Sequence, residues 1–235
     1  MSTPAGASQV ARLVPVRVPR AAEAAVLVLH GGGSRGAPMP VSPTQLSVLR
    51  MIPIAHRIAR AGRGRLAVWR LLNSVRGWDA THTPVGDVRW ALGQLRTQLP
   101  SRLPVGLVGH SLGGRAALLA AAENDVRSVV ALNPWVYAND GDVDAAGRHV
   151  LIVQGTADRI ASPARSSETA QRLARTTSVG LIAVDGGKHA MLRRYATFDF
   201  LAADYVIATL LDRTPRDGPD GPLTKILSGV PNVTV

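Results

Sequence analysis

The sequence predicts a three-layer α/β/α sandwich built on a mostly parallel β-sheet, and three observations predict it. Short apolar, β-branched-rich segments alternate with helical stretches from about Glu23 to about Asp212, the order that a parallel sheet with crossover helices requires. At 235 residues, 46% hydrophobic and 18% charged, the chain buries a large core without disulfides or structural metals. No repeat, low-complexity tract or internal linker interrupts it, so residues 1–212 are expected to form one domain.

Taken in order, a first strand is expected within residues 10–18, followed by strands at 24–29, 66–72, 105–108, 128–132, 150–153 and 179–184. All six of the later segments are short and apolar on both faces, as buried parallel strands are. Between them, helical spacing places helices at 44–61, 86–98, 112–123, 163–175 and 197–211. Ser162 followed by Pro163 is a cap with proline at the first helical position. Residues 213–235 carry Pro215, Pro219, Pro222 and Pro231 among glycines and aspartates and are expected to be an irregular tail, within which 223–227 is apolar enough to dock.

Composition excludes several classes. With no cysteine, thiol nucleophiles, thiolate metal sites and disulfide frameworks are all absent. Residues 1–20 lack the charged-then-apolar layout of a signal peptide, so a cytoplasmic location is the expectation. The longest apolar stretches, 24–29 and 116–122, are too short to span a bilayer. The net charge of +11 is concentrated at the start, where residues 1–78 hold eleven arginines against a single acid, Glu23. An arginine-biased composition accounts for this more simply than an anion-binding patch around Arg50, Arg57, Arg60, Arg63, Arg65 and Arg70. A single aromatic residue, Trp69, falls among those arginines, too few for a base-stacking surface, so no nucleic-acid partner is expected.

The chemistry lies at the strand ends. Gly109-His110-Ser111-Leu112-Gly113 joins the strand 105–108 directly to the helix 112–123. A serine on so tight a turn has its hydroxyl lifted above the sheet, and small residues are needed two positions to either side. A serine hydroxyl is a poor nucleophile at neutral pH and needs a base and an orienting acid. Asp158 follows the strand 150–153 in Gln154-Gly155-Thr156-Ala157-Asp158, and His189 follows the strand 179–184 in Asp185-Gly186-Gly187-Lys188-His189. Parallel topology brings both loops to the edge that carries Ser111. His30-Gly31-Gly32-Gly33 ends the strand 24–29, where glycines let the backbone turn its N–H groups toward a ligand. The N–H of Leu112, at a helix N-terminus, supplies a second donor for a developing oxyanion.

With these four segments the sequence resembles the α/β-hydrolase superfamily over nearly its whole length, and the joint pattern is far more specific than any one motif. The resemblance implies Ser111 as nucleophile, His189 as general base and then acid, Asp158 as its orienter, and Leu112 with Gly32 or Gly33 as oxyanion donors. Only 17 residues separate Leu132 from Val150, which leaves no room for the helical cap that many members insert there. An open site like those of small lidless esterases, thioesterases and dienelactone-hydrolase-like members is the expectation, acting on a small-molecule ester or thioester with no cofactor and no metal. Amide or peptide hydrolysis, lactone opening and perhydrolysis use the same triad, and a non-catalytic ligand-binding protein on this fold is the alternative of a different class. Nothing in the sequence fixes the oligomeric state.

His30 lies in the glycine loop and is expected to brace it by hydrogen bonds, His110 flanks the serine and is fixed by the turn, and His56, His82 and His149 are expected in surface or bracing roles. Trp135 and Tyr137 follow the strand ending at Leu132 and either line the substrate pocket or pack over the sheet edge. Arg35, two residues past the glycine run, is a candidate for recognising a substrate carboxylate or phosphate, with a solvated side chain as the plainer role. Asp140, Asp142 and Asp144 begin with calcium-loop spacing but lack its glycine and its terminal glutamate, so a solvated loop is expected.

Overall fold

The computed structural model describes residues 10–33 and 39–235. Its strands are β1 (Arg12–Arg17), β2 (Ala24–Leu29), β3 (Leu66–Leu72), β4 (Val105–His110), β5 (Val126–Leu132), β6 (His149–Gly155), β7 (Ser178–Val184) and β8 (Asn232–Thr234). Among the described residues they form one sheet in the order β1-β3-β2-β4-β5-β6-β7-β8. β1 runs antiparallel to β3, and all the other strand pairings are parallel. The helices are α1 (Leu46–Leu49), α2 (Met51–Ala61), α3 (Thr83–Gln98), α4 (Leu112–Leu119), α5 (Pro163–Leu173), α6 (Tyr195–Leu211) and α7 (Pro222–Leu227).

Strand alternation divides the core into two layers. Along β2, Val26 and Val28 face Ile54 and Ile58 of α2 with Phe198 and Tyr205 of α6. Ala25, Leu27 and Leu29 face the other way, toward Leu92 and Leu95 of α3 and Leu118 of α4. All six residues of β2 and of β4 are buried, and each such leucine or valine contributes roughly 1.5–3 kcal/mol by leaving water.

Two expectations are corrected. The single helix expected at 44–61 is divided at Arg50 into α1 and α2. Pro53 explains the break: it has no N–H for a carbonyl one turn back, so it is tolerated only in the first turn of a new helix. The tail expected to be irregular holds α7 and β8. Leu223 and Ile226 of α7 are buried, and a Cβ at Gly180 of β7 would lie 2.2 Å from Ile226 Cγ2, so glycine there lets the helix reach the sheet. β8 then pairs with β7 through Ile182 and Val233. Asp217 fixes the start of α7 by accepting from the Leu223 N–H and the Thr224 hydroxyl.

The short connection from β5 to β6 contains a single 3-10 turn, Ala138–Asp142, and no cap domain stands over the carboxyl edge of the sheet among the described residues. On the opposite edge, a polar depression of ≈ 640 Å³ lies beside Arg102, Asn124 and Arg127, remote from every residue expected to carry chemistry.

Candidate active site

β4 ends on His110 and α4 begins on Leu112, so Ser111 alone makes the turn between them. Its backbone sits at φ 55°, ψ −120°, a sparsely populated conformation that persists only where the surroundings impose it. The surroundings are backbone. A Cβ at Gly109 would lie 2.1 Å from the Gly113 carbonyl oxygen, and one at Gly113 would lie 2.6 Å from the carbonyls of Leu29 and His30. Both glycines are therefore required by contact.

The expected base and acid meet the serine here. His189 Nε2 stands 3.0 Å from Ser111 Oγ, and His189 Nδ1 stands 2.8 Å from Asp158 Oδ2. Asp158 Oδ1 accepts from the N–H groups of Ile160 at 2.8 Å and Ala161 at 2.9 Å. Burial works to raise the Asp158 carboxyl, but the hydrogen bonds from His189 and these two N–H groups outweigh it and hold the acid below the usual carboxylate range. An ionised Asp158 in turn fixes the proton of His189 on Nδ1 and leaves Nε2 facing the serine.

The glycine loop lies against the same turn. A Cβ at Gly31 would approach Ser111 Cβ to 3.0 Å, and Gly32 adopts φ +145°. Leu112 opens α4 and has no carbonyl one turn back to receive its N–H. His30 braces the loop from beneath: Nδ1 donates to the Gly31 carbonyl at 2.6 Å and Nε2 accepts from the Asn73 N–H at 3.2 Å. Burial depresses its pKa and keeps it neutral.

Two further residues hold the base loop, and sequence reasoning missed one and understated the other. His110 Nε2 donates to the His189 carbonyl at 2.8 Å, while its Nδ1 has no partner among the described residues. Burial, reinforced by the neighbouring His189, pushes its pKa down to about 3. Asn133, fully buried at φ 41°, donates from Nδ2 to the carbonyls of Lys188 and His189 and accepts at Oδ1 from the Gly155 N–H. One side chain thus ties the acid-bearing strand to the base-bearing loop.

Ser111, His189 and Leu112 open into a cleft of ≈ 1320 Å³ whose walls include Leu46, Leu49, Trp78, Trp135, Ile160 and Leu192. Trp135 is a pocket wall. Tyr137 is not: its ring stacks edge-on against Trp135 at 5.2 Å, behind that wall. Arg35 lies outside the described residues. Arg50 and Arg76 also border the cleft, and Arg50 is neutralised by Asp199 at 2.8 Å.

The acidic cluster is corrected as well. Asp140 is buried and pairs with Arg115 of α4 through both oxygens, at 2.7 and 3.0 Å, while Asp142 pairs with Arg172. The Arg115 guanidinium lies 4.2 Å from the ring centre of Trp78 and 4.9 Å from that of Tyr137. The chain uses this ion pair to back its aromatic wall. Among the described residues no group of three or more metal-ligating side chains occurs, and no helix is long and apolar enough to cross a membrane.

With this geometry in view, the chain has the α/β-hydrolase fold, without a cap among its described residues. Residues 96–199 match the model of an alpha/beta hydrolase family, and no curated protein matches the sequence. Among solved structures, Est1E from Butyrivibrio proteoclasticus is similar with a TM-score of 0.63 at 14% identity, covering 86% of this chain and 94% of its own. XC6422 from Xanthomonas campestris, an α/β serine hydrolase without a lid, gives 0.60 at 21% over 87% and 90% of the two chains. A dienelactone hydrolase from Anabaena variabilis gives 0.59 at 22% over 85% and 91%. These likenesses speak for the fold.

Proposed function

We propose that this protein is a serine hydrolase that cleaves carboxylic esters or thioesters through an acyl-enzyme. The observation that carries the proposal is the unbroken hydrogen-bonded chain from Ser111 Oγ through His189 to Asp158, at the mouth of a cleft lined mainly by apolar side chains. An arylesterase and a dienelactone hydrolase among structures of the same fold support the same reading.

In the proposed cycle Ser111 Oγ attacks the substrate carbonyl as its proton passes to His189 Nε2. The oxyanion is held by the N–H of Leu112, aided by the positive end of α4, and by that of Gly32 or Gly33. His189 then gives its proton to the leaving alcohol or thiol as the bond to carbon breaks. Water, activated by His189 in the same way, releases the acid and restores Ser111. Asp158 stabilises the imidazolium throughout and stays ionised. No cofactor enters the cycle.

The test is intact mass after incubation with a fluorophosphonate, beside Ser111→Ala, together with initial rates on p-nitrophenyl esters of increasing acyl length. A single adduct absent from the variant is expected. No adduct and no turnover would move the protein to the ligand-binding class.

A further inference from the structure

The mouth of the cleft is ringed by large apolar side chains that water reaches. Leu46 is 84% exposed, Leu192 69%, Ile160 65%, Tyr195 60% and Leu49 41%, and all five border the cleft. They come from three separate places in the chain, the two ends of α1, the loop after β6 and the segment that leads into the first residue of α6, so their convergence is a property of the fold. Several exposed apolar side chains gathered around one cleft point to an interaction site.

The same loops carry cations. Arg159 precedes Ile160, and Lys188, Arg193 and Arg194 flank Leu192 and Tyr195; all four are exposed. None of them forms a side-chain ion pair among the described residues. The acids nearest in these elements do not offset them: Asp158 and Asp199 are buried and bound to His189 and Arg50, which leaves Asp185 as the exposed acid of the base loop. Protruding apolar side chains set among unpaired cations match a membrane interface, where the apolar groups enter the headgroup region and the cations meet anionic lipid. A second copy of the chain suits the rim less well, because a two-fold contact would set these cations against one another.

We propose that this rim docks on an anionic phospholipid surface, with the cleft mouth facing the lipid. The proposal stands on the surface alone and does not require the hydrolase reading.

Co-sedimentation of the full chain with large unilamellar vesicles tests it. Vesicles of phosphatidylglycerol mixed with phosphatidylcholine should retain the protein about tenfold more strongly than phosphatidylcholine alone, and added salt should weaken the retention. The pair Leu46→Ser with Leu192→Ser should lose binding. The pair Arg193→Gln with Arg194→Gln should lose the preference for anionic vesicles, while its p-nitrophenyl acetate hydrolysis in vesicle-free buffer stays unchanged. Thermal melts verify folding, and should the leucine pair not fold, the arginine pair decides. No retention, equal retention on neutral vesicles, or full retention by the leucine pair would overturn the docking, as would a concentration-dependent dimer without vesicle affinity. Fluorophosphonate labelling in buffer reads the serine separately, so either proposal can fail alone.

Discussion

His110 donates from Nε2 to the main-chain oxygen of His189 at 2.8 Å, so the residue beside the proposed nucleophile holds the loop that delivers its base. Asn133 donates to the same oxygen at 3.2 Å. Neither side chain belongs to the proposed triad, and both position the loop that carries His189. Asn133→Ala is therefore expected to lower kcat about 10- to 100-fold with KM within about twofold, since misplacing a catalytic group by about 1 Å costs that much. Combining it with His110→Ala should cost less than the product of the two single effects, because they share an acceptor. Steady-state kinetics on a soluble ester reads both, and a change confined to KM would contradict the assignment.

Removal of the reacting groups should be graded. Ser111→Ala and His189→Ala are each expected to lower kcat by about 10⁶-fold, and Asp158→Asn by about 10⁴-fold, the differences that separate losing a reacting group from losing its orienter. Single-turnover rates on an activated ester provide the comparison, and near-wild-type turnover in any of the three would dismiss the proposed roles.

Acid should destabilise the fold through its buried imidazoles. The pKa of His110 falls from an ordinary 6.5 to about 3, and that of His30 is also depressed by burial. Between pH 6.5 and 3 the unfolded chain therefore binds protons that the folded chain refuses, so stability falls as pH falls through that window. Denaturant midpoints measured at pH 8 and pH 5 should show the loss, and His110→Asn should show a smaller one.

The ion pair behind the aromatic wall should be costly to break. Arg115 and Asp140 are both buried, and Asp140 also accepts from the Tyr137 N–H. Asp140→Ala leaves a buried guanidinium without its counter-charge and is expected to cost about 3–5 kcal/mol. Urea unfolding measures it, and a loss below about 1 kcal/mol would mean that water reaches Arg115 in the variant.

At the sheet edge, Gly180→Ala places a methyl group 2.2 Å from Ile226 Cγ2. Overpacking of this kind costs about 1–3 kcal/mol, and it should appear as faster proteolysis of the segment after Asp212.

Ser111, Asp158, His189 and the central strands were legible in the sequence because each lies where an unbroken apolar run meets glycine-rich punctuation. The tail was not: β8 has three residues, Asn232–Thr234, and gains its strand character from pairing with β7. Asn133 was invisible because its importance lies in contacts 22 and 56 residues away. Asp140 was misread because its partner, Arg115, belongs to a different helix. The break at Arg50 was signalled by Pro53 and passed over, since the apolar spacing on either side of it is continuous. The rim was illegible for a different reason: exposed leucines look like core residues until the fold shows which side faces water.

The three residues of the proposed triad sit after β4, β6 and β7, with Ser111 and His189 78 positions apart. No fragment of the chain holds them together by local contacts, and closing such distances is slow because chain entropy is lost before the contacts that reward it form. In refolding from denaturant, helical signal should therefore return before the proposed esterase activity, and that activity should return together with β6–β7 pairing, which makes turnover a clock for completion of the sheet.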